Sequence, residues 1–153
     1  MSIEKARAHL KRHGLEDRII ELEESSATVA LAAQALHCEP AHIAKTLSFE
    51  HGDGAVLILA AGDARIDNPK FKAQFGMKAR MLPAEKVEAL IGHAVGGVCP
   101  FGINTGIPVY LDESLRPFDI VYPAAGNSAS GVRLTVEELE RASEAVGWVH
   151  VTK

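Results

Sequence analysis

Cysteine is scarce in this chain, and its two copies, Cys38 and Cys99, stand far apart without a paired framework. That excludes a small secreted fold stapled by disulfides and suits a reducing compartment. No apolar run approaches the roughly 20 residues needed to span a bilayer. The opening MSIEKARAHLKRHG is charged and amphipathic, with no apolar signal core behind it. A cytoplasmic protein without membrane contact is therefore expected. Glycine and proline are dispersed, and there is no internal repeat, low-complexity tract or linker. Residues 1–153 are accordingly expected to form one domain. The G-x-G-x-x-G fingerprint and the P-loop are both missing, as is the G-x-S-x-G elbow.

What is present is a compact globular composition, 47% hydrophobic and 24% charged. The net charge of -4 at first argues against a nucleic-acid partner, but its distribution is uneven. Between Ala64 and Lys86 stand Arg65, Lys70, Lys72, Lys78, Arg80 and Lys86, opposed only by Asp67 and Glu85, whereas the chain from Asp112 onward leans acidic. Such a stretch permits contact with phosphates and equally fits an ordinary solvated face.

Local patterns predict the elements. Ser2 is a candidate cap for a first helix that stops near Gly14, and Arg18 to Leu22 reads as a short strand. Thr28 caps the helix VALAAQALH, which Pro40 interrupts. AKTLSFE and AVLILAA flank HGDG as a hairpin, and the second run is apolar enough for a central strand covered on both faces. NPKFKAQF is a helix ending at Gly76, KARML a short strand, and PAEKVEALI a helix with proline in its first turn. VGGVCPFGINTG is too glycine-rich for regular structure. Strands PVYLD, IVYPA and VRL follow, then a helix whose Thr135 and Glu138 have capping-box spacing, then the strand WVHV. This order predicts an α/β (α+β) protein with a mixed, largely antiparallel sheet and helices packed around it.

Lys45 is the most informative position. Strand alternation places it on the face of Leu47 and Phe49, with Thr46 and Ser48 opposite. Such a lysine either snorkels to the rim or sits in a cleft against an anion or carbonyl. The run Gly96-Gly97-Val98-Cys99-Pro100-Phe101-Gly102 is the second candidate, because glycines expose backbone amides that can stabilise an oxyanion. His93 precedes it and is a candidate to reach the same pocket. Cys99 lacks an activating signature, and His37, Cys38 and His42 match no standard zinc spacing.

In order, A-K-T-L-S-F, G-D-A-R-I-D-N-P-K, G-G-V-C-P-F-G, V-Y-L-D and P-A-A-G resemble the YbaK/prolyl-tRNA-synthetase-associated editing domain family, from about Thr28 to Val149. The resemblance implies a barrel-like mixed sheet ringed by helices, and hydrolysis of the ester on tRNA mischarged with a small amino acid. Lys45 matches the family's lysine, and Gly96 and Pro100 the ends of its G-x-x-x-P loop. On that reading Lys45 holds the terminal nucleotide or polarises the ester, while Gly96 to Pro100 orient the carbonyl. Thr46, Gly97, Phe101, Ser128 and Ser130 are the expected substrate-binding set. Arg65, Lys70, Lys72, Lys78 and Arg80 are the expected tRNA contacts. No cofactor or metal is implied, and the attacking group is water, a ribose hydroxyl or the substrate's own thiol. AGNSASG lacks the acidic residue expected near Gly131 in the cysteine-specific branch, and apolar VALAAQAL with the diglycine Gly96-Gly97 suggests a small apolar pocket. Both favour alanine or a similar short residue on tRNA for proline. The expected protein is a free-standing hydrolase that reads the acceptor end, helped by prolyl-tRNA synthetase or an elongation factor. Two other readings compete: a non-catalytic tRNA or synthetase adaptor of the same fold, and a thiol hydrolase using Cys99.

Overall fold

The computed structural model describes residues 2–153, with side chains from Ile3 onward. Helix α1 (Ser2–Arg12) opens the chain, and the Ser2 side chain expected to cap it lies outside the described residues. A 3-10 turn at Glu16–Arg18 takes the start of the expected strand, leaving β1 as Ile19–Glu21. Helix α2 (Val29–Leu36) is capped by the Thr28 side chain, which accepts from the Leu31 amide. It ends before Pro40, at His37 in the left-handed conformation.

Strands β2 (Ala44–His51) and β3 (Gly54–Ala61) form the expected hairpin, turned by Gly52 and Asp53 alone. Helix α3 (Asn68–Phe75) starts at an Asp67 cap and stops at Gly76. The strand expected over Lys78–Leu82 is reduced to a single bridge, Met81 against Phe49. Its backbone meets β2 through Glu50 N–H to Arg80 O and Leu82 N–H to Ser48 O, and the ladder goes no further because the chain enters the next helix at Ala84. Pro83 caps this helix, α4 (Ala84–Ile91), from outside its first turn.

The remaining elements are β4 (Val109–Asp112), β5 (Ile120–Val121), β6 (Ser130–Val132), β7 (Leu134–Thr135), α5 (Val136–Ala142) and β8 (Gly147–Val149). The capping box of Thr135 and Glu138 is complete, with each side chain accepting from the other's backbone amide.

The sheet is mixed but does not close. Its four-stranded part runs β2-β3-β4-β8, and only β2/β3 is antiparallel; β3/β4 and β4/β8 are parallel. The antiparallel pairs β1/β6 and β5/β7 stand as separate two-stranded sheets. Three of the five strand pairings are antiparallel, as expected for a mixed, largely antiparallel sheet. The barrel-like expectation is not met: among the described residues no closed barrel forms, and helices intervene between β3, β4 and β8, as parallel neighbours require.

Strand β3 is the centre. Leu57, Leu59 and Ala61 join a core with Ala6 and Leu10 of α1, Val87 and Ile91 of α4, and Leu139 of α5. Val56 and Ile58 join Phe49, Phe71 and Val151 on the other face. Both faces are thus covered, which is why this strand reads as an unbroken apolar run. The buried carboxylate of Asp112 accepts from Val151 N–H, Thr152 Oγ1 and Ser114 N–H at 2.7 to 2.9 Å, fixing the C-terminal segment to the end of β4. Leu59→Ala, at a position with no exposure, is expected to lower unfolding free energy by about 2–5 kcal/mol in chemical denaturation.

Candidate active site

A cavity of about 290 Å³ opens on the α4 side of the β2/β3 hairpin. Its β2 wall is Ala44, Thr46 and Ser48, which share a face because they pair with Ala61, Leu59 and Leu57 of the core. Ala32 and Leu36 of α2, Val87 of α4 and Ile43 make the apolar sides, with Tyr122, Pro123 and Ala124 opposite. The Tyr122 segment is held to the start of β2 by paired backbone bonds, Ala44 N–H to Tyr122 O and Tyr122 N–H to His42 O.

Lys45 leaves β2 on the other face by register, with Leu47 and Phe49, yet it too lines the cavity. Its ammonium donates to the carbonyls of Gly62 and Ala64, just past the end of β3. Burial lowers its pKa, Asp63 opposes that shift, and the neighbouring Arg65 adds to it. An ammonium has three donors, so two carbonyl partners leave one for a ligand. Gly62 is essential to this arrangement. A Cβ there would lie 2.0 Å from Pro40 O and 2.8 Å from Val29 Cγ1, so the chain passes where no side chain fits.

Thr46 Oγ1 is one of two buried side-chain polar atoms without a hydrogen-bond partner among the described residues. Three other hydroxyls of the cavity are engaged, and those of Ser48 and Tyr122 also line it. Thr28 caps α2, and Ser26 Oγ donates to Ser130 O while accepting from Ser130 N–H. Ser130 Oγ accepts from Ala125 N–H and donates to Asn127 O, so this expected specificity residue lines the cavity with its hydroxyl occupied.

Of the expected substrate and catalytic residues, Lys45, Thr46, Gly96 and Ser130 meet at this cavity; Gly97, Pro100, Phe101 and Ser128 do not line it. Gly96 adopts a φ of +94°, which disfavours any side chain at that rim position. Gly97 instead packs on the 126–127 backbone, where a Cβ would come within 2.5 Å of the Asn127 Cα. Ser128 is exposed, beside Gly96. Pro100 faces a second cavity, behind the loop, with Lys5, His9 and Arg12, and Phe101 is wholly buried in the core. The loop's far end is anchored by two histidines. His93 donates from Nε2 to Phe101 O at 2.6 Å. His9 Nδ1 accepts from Gly102 N–H at 3.0 Å while its Nε2 donates to Ala142 O at 2.6 Å.

His93 is thus a fully buried loop anchor and not a cavity residue. His9 approaches His13 and Glu144 closely, but with both ring nitrogens engaged it has no lone pair to offer a cation. The His37 backbone caps α2 and the His42 ring bonds to Ile120 O, and among the described residues His37, Cys38 and His42 do not bring their ligand atoms together. Burial pushes the Cys99 thiol up to about 12 with no exposure, which removes the thiol-nucleophile reading.

Among the expected tRNA contacts, Arg65, Lys72, Lys78 and Arg80 are exposed, whereas Lys70 donates to Thr152 O at 2.8 Å. Sequence reasoning missed Gly62, Tyr122 and the rim residues Met81 and Val95. Only Gly62 left a signal, as the glycine closing an apolar strand directly before a charged turn.

These features match a known protein class. The profile of the aminoacyl-tRNA editing domain matches residues 23–142, and the chain belongs to that family. YwhH of Bacillus subtilis, a protein without an assigned activity, is 46% identical over 154 residues, covering 100% of this chain and 98% of its own. A candidate Cys-tRNA(Pro)/Cys-tRNA(Cys) deacylase, EbsC of Enterococcus faecalis, is 29% identical over 70% of this chain and 66% of that one. A crystal structure of a candidate trans-editing enzyme for prolyl-tRNA synthetase superposes with a TM-score of 0.89, 34% identity and 99% and 97% coverage.

Burial depresses the pKa values of both His9 and His93 below 6.5. Below pH 6.5 the unfolded chain takes up protons that the folded chain refuses, so stability is complete above that value and falls as pH drops toward the folded pKa values. Chemical denaturation between pH 7.5 and 5.5 is expected to show a falling midpoint, with a shallower fall in His93→Gln.

Proposed function

We propose that this protein is a cytoplasmic editing hydrolase that cleaves the ester between a small, wrongly attached amino acid and tRNA for proline. The observation that carries the reading is one half-buried ammonium, Lys45, beside one buried hydroxyl without a partner, Thr46, in a cavity with mainly aliphatic walls. A small aminoacyl group suits those walls, while its ester and ammonium need the two polar groups.

In this mechanism the aminoacyl side chain lies among Ala32, Ile43 and Val87, and the ester carbonyl turns toward Lys45. Water adds to that carbonyl, negative charge develops on its oxygen, and the third Lys45 proton stabilises it. Collapse of the tetrahedral intermediate breaks the bond to the ribose oxygen, which takes the proton given up by the attacking water, and releases the free amino acid and intact tRNA. The carbonyls of Gly62 and Ala64 keep the ammonium from swinging into water, so little reorganisation is needed during reaction. Gly96 at the rim leaves room for the ribose, and Thr46 orients the substrate by a hydrogen bond. No carboxylate lines the cavity, which favours an alkyl residue such as alanine over one needing a polar partner. Relatedness to synthetase-linked editing proteins supports prolyl-tRNA synthetase as the helper, and the elongation factor has no such support.

The test is release of labelled amino acid from tRNA for proline charged separately with alanine, 2-aminobutyrate, cysteine, serine and proline. Release of alanine or 2-aminobutyrate with proline spared is expected, and Lys45→Ala should lose about 100-fold or more in kcat. Absence of release from every substrate, with retained tRNA binding, would establish the adaptor instead. Thr46→Val is expected to lower kcat/KM about tenfold with an unchanged fold. Affinity for tRNA should weaken steeply with salt if Arg65, Lys72, Lys78 and Arg80 meet phosphates.

A further inference from the structure

The cavity accounts for the aminoacyl end of the substrate but leaves open where the base on the same ribose goes. A nucleobase carries several donors and acceptors along its edge, and burying them unpaired is costly. Ser26, Thr28 and Ser130 are engaged with the protein itself, Lys45 and Thr46 are taken up by the aminoacyl ester, and apart from Ser48 and Tyr122 the remaining inner walls are mainly aliphatic. A base inside would therefore lose most of its hydrogen bonds, so it belongs at the mouth, with one face covered and its edge in water.

The mouth offers such a surface. Among the described residues four large hydrophobic side chains are exposed, and two of them, Met81 at 53% and Val95 at 63%, border this cavity. They come from different parts of the chain, the segment paired along the edge of β2 and the loop before Gly96. Apolar side chains held in water beside a polar-headed pocket gain by being covered, and a thioether suits the face of a π system. Charge agrees with the placement. Lys78 and Arg80 are exposed in the same segment as Met81, and the Arg80 guanidinium is only loosely paired, 3.8 Å from Glu50.

We propose that Met81 and Val95 form the seat for the terminal nucleobase of the charged tRNA, with Lys78 and Arg80 receiving the phosphate that precedes it. This rests on the tRNA-ester reading above and extends it from the ester to the nucleotide. The seat governs binding, since the base keeps the same contact while the ester reacts, so its loss raises KM and leaves kcat alone.

The experiment is steady-state deacylation by wild type and Met81→Ser/Val95→Ser, using tRNA for proline charged with whichever residue the wild type releases. Both side chains are exposed, so the thermal midpoint should be unchanged. KM is expected to rise about tenfold, the scale of one lost stacking contact, with kcat within about twofold. Met81→Phe should hold KM at or below the wild-type value. A charged minihelix lacking the terminal base should show a raised KM with wild type, and no further rise with the double variant. An unchanged KM in the double variant, a loss confined to kcat, or equal sensitivity with the base-free minihelix would each overturn the seat. A wild type that releases nothing from any charged tRNA would instead overturn the reading of the ester site, and the seat with it.

Discussion

The ammonium of Lys45, held by the carbonyls of Gly62 and Ala64, is the contact on which the site depends. A half-buried charge is tolerated only where polar partners replace its water. Those partners exist because β3 ends at Ala61 and the chain then passes against Pro40 with no room for a side chain at Gly62. Pro40 in turn opens the short 3-10 turn that leads into β2, the strand carrying Lys45. The lysine and its acceptors are therefore positioned by one closed circuit of chain, in which each part fixes the next.

The opposite wall obeys a different constraint. The glycine-rich loop has no ladder of its own, so its shape is imposed by neighbours: Gly97 lies flush on the 126–127 backbone, and His93 and His9 hold residues 101 and 102. Neutral imidazoles suit this task, since each can donate from one nitrogen and His9 can also accept at the other. Gly96 is then the point where an externally fixed loop meets the cavity.

Elements with strong local signals were legible in the sequence. The β2/β3 hairpin, the Thr28 and Thr135 caps and the doubly covered strand AVLILAA follow from alternation, capping chemistry and apolar runs, which are properties of neighbouring residues. Sheet closure was not legible, because whether distant short strands join depends on register between segments far apart in sequence. Lys78–Leu82 shows the limit: its alternation suits a strand, but helix α4 begins at Ala84 and one bridge is all that forms. In the site, the position of Lys45 was readable from its place in the hairpin, and its carbonyl partners were not. The G-x-x-x-P spacing located the loop, yet Pro100 and Phe101 face away from the cavity, since a loop without periodicity gives no rule for which side each residue takes. Tyr122 and Val95 carry no local signal at all.

Strand β2 stands at the end of its four-stranded sheet, and the Arg80–Leu82 segment lies along its outer side with two backbone bonds. An uncovered strand there would be a template for pairing with a second chain. The covering segment thus guards against self-association while also carrying a residue of the cavity mouth. Leu82 ties this segment to the main core, whereas the exposed Arg80 and Met81 side chains can vary without disturbing the packed interior. The rim is consequently a place where this architecture can be adapted to new substrates at little risk to folding, provided that the guard on the edge is kept.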